Sequence, residues 1–492
     1  MGEAQVTKTF EERQRAFAEA HPQLRLFAPG PGTIVVLPSI TLPTEVLRRL
    51  TGMRHYEERM LWILLTLAHP GTNIIYLSSL PIDPSIVDYY LEFLPDPDHG
   101  RAHLRMVDLA DQRPSPLTRK LLGRPDVIDR LRTLVAELGD GWVQPFVVTS
   151  MEKRFAERVG LPLYGPHPSL QHLGSKSGAR RIARAAGVPV PTGEDNLWSL
   201  GDVQRAVDAL GTANPAVARA VVKLNDSSSG LGNVVVEVAA SGGPVAGRTT
   251  SFTTEGESWS SFAGKIASRG AVAEELLDHK GLVSPSVQVE ITPQGTWHIL
   301  GTHVQVLGGA NAQTYLGCRF PSDARYRETI SQYAERIAGV LADRGVIGLF
   351  GIDFLVVPGG TGEDAVYLAE INLRFGGTTH PLGMVMLGTQ ATYDRPTGQL
   401  IAQGRPKFYV ATDNVVRERL AGTAPGEILA AIQKAGLALE PSSRTGVTVH
   451  MLGAMRVHGK LGFTCVGDSP REAEELYREM LGLLGHWDPG RR

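Results

Sequence analysis

The segments FGIDFLVV and YLAEINLRFGG contain two carboxylates, an amide and a guanidinium. Glu370, Asn372 and Arg374 stand at positions i, i+2 and i+4 of one predicted strand, so their side chains project from one face. Asp353 belongs to the predicted strand before it. Carboxylate and amide oxygens are hard ligands suited to Mg²⁺ that is held together with substrate phosphates. An arginine on the same face can hold a phosphoryl oxygen with two hydrogen bonds.

The residues between these polar positions are apolar and are predicted to face the core: Ala369, Ile371 and Leu373. Such an alternation favours a strand with one binding face and one buried face. The alternative interpretation is a solvated polar face that carries only a surface ion pair.

A second candidate site is the segment VVKLNDSSSGLGNVVVEV at 221–238, in which Lys223 closes one predicted strand and a Ser/Gly loop leads into the next. Backbone N–H groups and hydroxyls of such a loop form a donor surface suited to phosphate oxygens. The lysine would add a positive charge beside it. The candidate phosphate-binding residues of the loop are Ser227, Ser228, Ser229, Gly230 and Gly232. A plain polar hairpin with a solvated lysine fits this segment equally well.

Two common nucleotide motifs are absent from the sequence. There is no GxxxxGK[ST] segment, and Gly230-Leu-Gly232 lacks the third glycine of the dinucleotide fingerprint. The segment AEELL at 273–277 ends an apolar strand, where backbone groups could meet an adenine edge. A surface pair of glutamates is the alternative interpretation of this segment.

The elements that must position these residues change in character along the chain. Helices alternate with short β-branched runs up to about residue 175, which indicates a parallel α/β sheet. From residue 284 the strands are long and read as antiparallel, and a small α/β segment follows residue 410. The stretch 241–262 is rich in Ser, Thr and Gly and is predicted to be a loop or flap. The fold class is therefore a multidomain α/β and α+β protein.

Composition excludes several classes of protein. The chain has 492 residues, which predicts three or four domains at roughly 150 residues each. Lys plus Arg number 49 and Asp plus Glu 51, a balance that gives no support for nucleic-acid or anionic-membrane partners. Two cysteines cannot build a disulfide framework, and the N-terminal residues lack the apolar core of a signal peptide. We expect a reduced, cytoplasmic, soluble protein.

The order of the chemical segments resembles the ATP-grasp superfamily of ATP-dependent carboxylate–amine ligases over about residues 170–385. The segments that carry the resemblance are Lys176 before an RxxxxxGVPVP helix, Lys223 with its Ser/Gly loop, the Glu274-Glu275-Leu-Leu hinge, Asp353, and Glu370-x-Asn372-x-Arg374. The tail TGVTVHMLGAMRVHGKLGFTCVGDS and the GGTTHP continuation look most like the subgroup that contains the peptide ligase of pheganomycin biosynthesis.

The resemblance implies a domain organisation. It predicts an N-terminal pre-ATP-grasp domain at 1–175, an ATP-grasp lid subdomain at 176–283, a metal-binding catalytic subdomain at 284–410 and a small α/β tail at 411–492. The activity it implies is a two-step ligation that uses ATP, a small carboxylic acid and the amine of an amino acid or peptide. An acyl phosphate is the implied intermediate, and homodimers are common among such ligases.

The resemblance also implies roles for individual residues. Lys176 and Lys223 would contact the phosphates of ATP, and the loop 226–232 would fold over them. The adenine would meet Glu274, the backbone of Glu275, and Leu277. One or two Mg²⁺ ions, with Mn²⁺ as an alternative, would be held by Asp353, Glu370 and Asn372. Arg374 would hold the γ-phosphate and then the acyl-phosphate oxyanion, which makes it a catalytic residue together with Lys223.

This sequence departs from the family pattern at two places. Many of these ligases carry an arginine two residues before the first metal carboxylate, where this chain has Gly351, and Arg319 is a candidate replacement. A Gly-x-Glu ribose contact after the hinge is also missing. The missing arginine keeps a catalytically silent ATP-binding regulator open as an alternative. A small-molecule kinase, which would keep the ATP site but stop at phosphorylation, is a second alternative.

Other residues near these segments carry weaker expectations. Asn311, Gln313 and Tyr315 are candidates for lining the substrate cleft. His380 is interpreted as a structural loop histidine, with a place near the acyl-accepting site as the alternative.

Overall fold

The computed structural model describes residues 8–41, 47, 51–227, 232–238, 243–308, 314–360 and 362–487. Within these ranges the strands form sheets of four, five and ten strands. None of the helices in the described ranges is long and apolar enough to cross a membrane. Both cysteines, Cys318 and Cys465, are free and buried.

The N-terminal region contains the predicted parallel sheet, with strand order β3-β2-β1-β4. Its strands are β1 (Gly32–Leu37), β2 (Thr72–Ser78), β3 (Leu104–Asp108) and β4 (Gly141–Pro145). Its helices are α1 (Phe10–Ala20), a 3₁₀ helix (Met53–Ala68), α2 (Pro84–Leu91), α3 (Pro97–Ala102), α4 (Leu117–Leu122), α5 (Pro125–Leu138) and α6 (Ser150–Val159). Strand β1 is apolar on both faces because Ile34 and Val35 enter different core clusters.

The second sheet is antiparallel, with strand order β5-β9-β6-β7-β8. Its strands are β5 (Gly193–Leu197), β6 (Arg219–Leu224), β7 (Asn233–Glu237), β8 (Thr249–Phe252) and β9 (Ala271–Glu275). The helices of this region are a 3₁₀ helix (Pro168–Gly174), α7 (Lys176–Ala185), α8 (Leu200–Ala213), a 3₁₀ turn (Val245–Arg248) and α9 (Trp259–Arg269).

The prediction of a loop over 241–262 is wrong for most of that stretch. Strand β8 pairs with β7, with Val234 opposite Phe252. Helix α9 begins directly after Ser258, whose hydroxyl accepts a hydrogen bond from the backbone N–H of Ser261. The polar composition that suggested a loop reflects an exposed edge strand and a helix cap, both of which favour Ser and Thr.

The third sheet extends from the predicted metal-binding strands to the C-terminal tail. Its main path is β14-β13-β10-β11-β12-β17-β16-β15, and β19 pairs with both β17 and β18. Its strands are β10 (Pro285–Ile291), β11 (Trp297–Gly308), β12 (Thr314–Phe320), β13 (Gly348–Val357), β14 (Ala365–Asn372), β15 (Thr392–Asp394), β16 (Gln399–Ala402), β17 (Arg405–Val416), β18 (Gly446–His450) and β19 (Lys460–Gly467). Its helices are α10 (Ala324–Ala342), α11 (Thr379–Gly388), a 3₁₀ turn (Glu418–Leu420), α12 (Pro425–Lys434), α13 (Leu452–His458) and α14 (Pro470–Gly485).

The antiparallel strands expected from residue 284 are confirmed. Strand β17 runs through the predicted boundary at 410, so the tail shares a sheet with the region before it. The division into four domains stays a prediction.

A buried carboxyl joins the N-terminal region to the third sheet. Glu290 of β10 is fully buried and accepts hydrogen bonds from the backbone N–H of Leu26 at 2.6 Å and from the hydroxyl of Tyr164 at 3.0 Å. Burial raises the pKa of this carboxyl above its ordinary value. The contact fixes the parallel sheet against the strands that hold the candidate site.

Candidate active site

One cleft, of about 710 Å³, is lined by residues of the second and third sheets and brings together most of the residues selected from the sequence. From the second sheet and its flanking segments come Lys176, Lys223, Ser227, Glu274, Glu275 and Leu277. From the third sheet and its extension come Asp353, Glu370, Asn372 and Arg374. Gly232 lies at the base of the Ser/Gly loop, where its carbonyl accepts a hydrogen bond from the backbone N–H of Leu224 at 3.1 Å. Ser228, Ser229 and Gly230 lie outside the described residues.

The candidate metal ligands Asp353, Glu370 and Asn372 lie together because β13 and β14 are neighbouring, hydrogen-bonded strands. Asp353 of β13 lies opposite Glu370 of β14. The Asn372 side chain donates from Nδ2 to Oδ2 of Asp353 at 2.9 Å, and Gln305 Nε2 donates to Oδ1 at 2.8 Å. Since Asn372 uses its amide hydrogen for Asp353, its amide oxygen is left as an acceptor. Two carboxylates and an amide oxygen match the donor set that Mg²⁺ prefers.

A β-bulge changes one part of the predicted alternation. The pairing register shifts between Asp353 and Phe354, so Ala369 is an extra residue in β14. Ile371 and Leu373 are buried as predicted, but Ala369 is half-buried and lines the cleft, so its assignment to the core is wrong. Arg374 follows the end of the strand and donates to the backbone carbonyl of Phe375 at 3.2 Å.

The charged groups of the cleft shift one another's pKa values. Burial, followed by repulsion from Glu370, raises the pKa of Asp353 to about 6. Burial also acts to raise the pKa of Glu370, but Lys176 reverses this and holds it below its ordinary value, with help from Arg374 and Lys223. The ammonium of Lys176 lies 2.7 Å from Oε1 of Glu370. A cation therefore already stands beside one of the two carboxylates.

In the predicted adenine-binding hinge, the Glu274 side chain forms ion pairs and the Glu275 backbone is hydrogen-bonded to a neighbouring segment. Glu274 is 5% exposed and accepts hydrogen bonds from Lys223 and, at 2.8 Å, from Arg180. The backbone N–H of Glu275 donates to the carbonyl of Thr192 at 2.8 Å. Arg180, which orients Glu274, was not selected from the sequence, because the contact joins residues that are distant along the chain.

Polar residues of the cleft wall that were not selected from the sequence include Ser286, Gln288, Gln305 and Thr378. The sequence of β10 could have indicated two of them, because Ser286 and Gln288 alternate with valines at the two-residue period of a strand that has one polar face. Tyr315 lines the cleft as expected. Its ring packs on Gly377, where an added Cβ would lie 2.4 Å from Tyr315 Cε1. Asn311 and Gln313 lie outside the described residues.

Side-chain contacts place two further candidate residues, Arg319 and His380. Arg319 does not line the cleft; it is half-exposed and its Nε lies 2.5 Å from Glu474 of α14, so it does not replace the arginine missing at position 351. His380 is buried, as expected of a structural histidine, although it lies in the first turn of α11 rather than in a loop. Its Nε2 lies 3.0 Å from Nε2 of His450, and burial holds its pKa well below the ordinary value.

The sequence matches two family models. The model described as IQCH-like, ATP-grasp matches residues 168–242 and 247–395, and the model described as PGM1 C-terminal domain matches residues 427–480. The chain is also 30% identical over 475 residues to the L-propargylglycine–L-glutamate ligase of Streptantibioticus cattleyicolor, across 94% of this chain and 96% of that protein. The chain belongs to the ATP-grasp superfamily of carboxylate–amine ligases. The resemblance inferred from the motif order is thereby confirmed.

More distant ATP-grasp comparisons agree on the fold. IQ motif-containing protein H of Danio rerio is 19% identical over 92% of this chain, which spans only 48% of that protein. The biotin carboxylase of Campylobacter jejuni superposes with a TM-score of 0.55 at 12% identity, covering 92% of this chain and 90% of that one. An ADP complex of N5-carboxyaminoimidazole ribonucleotide synthetase gives a TM-score of 0.53 at 14% identity, with coverages of 92% and 97%. These likenesses support the ATP-grasp fold over nearly the whole chain.

Proposed function

We propose that this protein uses ATP to join the carboxylate of a small acid to the amine of an amino acid or peptide. The observation that supports this most directly is that three cationic side chains and three candidate metal-ligating side chains line one cleft. The cations are Lys176, Lys223 and Arg374, and the donors are Asp353, Glu370 and Asn372. Catalysis of phosphoryl transfer consists largely of positioning and charge stabilisation, which such a set supplies.

In the first step, a carboxylate oxygen of the acid attacks the γ-phosphorus of ATP. The bond from that phosphorus to the β–γ bridging oxygen breaks, and ADP leaves. Lys176 and Lys223 offset charge on the phosphate oxygens, and Arg374 holds the transferred group. The hinge at Glu274, the backbone of Glu275, and Leu277 receives the adenine.

The metal site of this proposal consists of Asp353, Glu370 and Asn372. One or two Mg²⁺ ions, when bound, would offset charge on the phosphate oxygens, and Mn²⁺ has similar ligand preferences. The protein's own contribution is to hold the donors in place. Gln305 does this for Asp353, because its amide hydrogen bond fixes one carboxylate oxygen.

In the second step, the amine attacks the carbonyl carbon of the acyl phosphate. A tetrahedral oxyanion forms, inorganic phosphate leaves with its bridging oxygen, and the nitrogen loses a proton. Arg374 stays beside the reacting group throughout. Water must be kept from the acyl phosphate, since hydrolysis would waste ATP.

The substrates we favour are two amino acids or an amino acid and a peptide. The name of the Streptantibioticus relative specifies two amino acids, and the similarity covers nearly the whole of both chains. A place in specialised peptide metabolite biosynthesis, in a reducing cytoplasm, is consistent with that relative. A homodimer remains a prediction that analytical ultracentrifugation would test.

The proposal is tested by measuring ADP release with Mg-ATP and two pools, one of carboxylic acids and one of amino acids and peptides. L-propargylglycine belongs in the acid pool and L-glutamate in the amine pool, and no compound is present in both pools. Each pool is assayed alone and together, with mass spectrometry of the products. We expect ADP release that needs both pools and a product lighter than its components by one water. ADP release with one pool and a phosphorylated product would instead identify a kinase, and ATP binding without turnover a silent regulator.

A further inference from the structure

A buried amide links β10 to the segment that follows Arg374. Gln288 is 1% exposed and donates from Nε2 to Oγ1 of Thr378 at 2.9 Å. Its Oε1 accepts a hydrogen bond from Oγ1 of Thr379, also at 2.9 Å. Thr378 ends the Gly-Gly-Thr turn that leads into α11, and Thr379 is the first residue of that helix. The turn is therefore held by a side chain that lies 90 residues away along the chain.

The hydrogen atoms of this network can be assigned. The backbone N–H of Gly376 donates to Oγ1 of Thr379 at 2.9 Å, and the Thr379 hydroxyl in turn donates its hydrogen to Oε1 of Gln288. The Gln288 amide must then present its NH₂ group to Thr378. Thr378 accepts this hydrogen bond and still has its own hydroxyl hydrogen to donate.

That remaining hydrogen has no protein acceptor within the described part of the chain. Thr378 precedes α11, but its side chain makes no capping hydrogen bond to the helix. It is 4% exposed and lines the cleft together with Asp353 and Arg374. A buried hydroxyl donor in such a position is matched when an oxygen acceptor enters the cleft.

The position of the missing arginine explains why the amide fits. Gln288 pairs with Gly351 across β10 and β13, and an added Cβ at Gly351 would lie 3.0 Å from Gln288 Nε2. Both residues line the cleft. The space that a side chain at 351 would enter is thus bounded by the amide that orients Thr378.

We infer that Thr378 is a substrate-contacting residue whose hydroxyl donates to a carboxylate oxygen of the acid substrate and then to the oxyanion on the same carbon. Gln288 is the positioning residue that aims this hydroxyl. The inference rests on the proposed ligase function.

The test uses hydroxylamine as the amine and each common L-amino acid as the acid, and it measures hydroxamate formed with Mg-ATP. We expect Thr378→Val to lower the maximal rate about 100-fold, with the KM for ATP unchanged. Thr378→Ser, which keeps the hydroxyl, should stay within about threefold of wild type, and Gln288→Met should lower the rate about tenfold. Thr378→Ala serves if the valine variant does not fold.

The matched control is Thr389→Val, at the C-terminal end of α11. This substitution also removes a buried threonine hydroxyl, which donates to the carbonyl of Val385 at 2.6 Å. Its rate should not change. A wild-type rate in folded Thr378→Val or Thr378→Ala would overturn the inference while leaving the ligase function in place. Equal losses in Thr378→Ser and Thr378→Val, with a raised KM for ATP, would show a packing role and overturn it too. No hydroxamate from the wild type with any acid would instead count against the proposed function.

Discussion

Asp353 and Glu370 lie directly opposite each other across β13 and β14, and both are half-buried residues of one wall of the cleft. Burial, followed by repulsion from the carboxylate of Glu370, raises the pKa of Asp353 to about 6. Such a pair is costly without a cation, and Lys176 at 2.7 Å from Glu370 offsets only part of the charge. The arrangement favours binding of a divalent ion.

Glu370→Gln should lower ATP turnover at least about 100-fold while leaving the protein folded. The substitution removes a negative charge from the metal site, relieves the repulsion of Asp353 and breaks the ion pair with Lys176, so its effects on stability without metal oppose each other. Wild type should gain thermal stability when Mg²⁺ is added, and the variant should gain less. Glu363→Gln, at an exposed position of the turn between the same two strands, is the matched control. Full turnover by Glu370→Gln would refute the metal assignment.

Lys223→Met should raise the KM for ATP about tenfold or more, because a charged hydrogen-bond donor to phosphate is lost. Glu274 would keep its hydrogen bond from Arg180, so the hinge should remain folded. Lys265→Met removes a lysine that is likewise paired with a glutamate, Glu257, but that does not line the cleft. Steady-state kinetics should separate the two variants. Similar KM values for both would argue against phosphate binding by Lys223.

Gly377→Ala should reduce turnover by displacing the ring of Tyr315, since the new Cβ would lie 2.4 Å from a ring carbon. Combining it with Tyr315→Ala should restore part of the loss, because the smaller side chain leaves room for the methyl group. The comparison of single and double variants measures the coupling between the two positions. If the losses simply add, the contact between ring and glycine does not shape the cleft.

Stability should depend on pH through Glu57 of the N-terminal region. Burial raises the pKa of its carboxyl to about 7, although two hydrogen bonds from Ser79 and the charge of Lys120 oppose this. The folded state therefore favours the protonated form. Its contribution to stability is complete below the ordinary pKa of about 4.5 and is lost as pH rises through 7.

The measurement is the melting temperature at pH 5 and pH 8 for wild type and Glu57→Gln. The difference between the two pH values should shrink in the variant, which cannot ionise. Glu137→Gln at an exposed position of α5 is the control and should behave like wild type. An unchanged pH dependence in Glu57→Gln would show that this carboxyl does not titrate as described.

The strands of the active-site wall were predictable because alternation is a local property. Ile371 and Leu373 are buried where the two-residue period places them. The bulge at Ala369 was not predictable, because it depends on how two strands are paired and no single strand contains that information. The same limit applies to Arg319, whose partner Glu474 lies 155 residues away along the chain.

Composition misled the prediction in the stretch 241–262. Ser and Thr are common in loops, but Thr249–Phe252 gains backbone hydrogen bonds from β7 and becomes an edge strand. Gln288 was overlooked for a different reason: its amide acquires a role only when the turn after Arg374 folds against it. The order of the motifs along the chain was sufficient to identify the family. The contacts that orient the reacting groups join residues distant along the chain, so they could be found only in the folded structure.

Because β17 continues the sheet through residue 410 and pairs with β19, the C-terminal strands and the metal-binding strands form one continuous layer. Helix α11, which starts at the cleft, rests its His380 against His450 of β18. The tail is thus part of the scaffold of the cleft and not an interchangeable module. An exchange of this segment would therefore replace strands of the same sheet that carries the metal-binding residues.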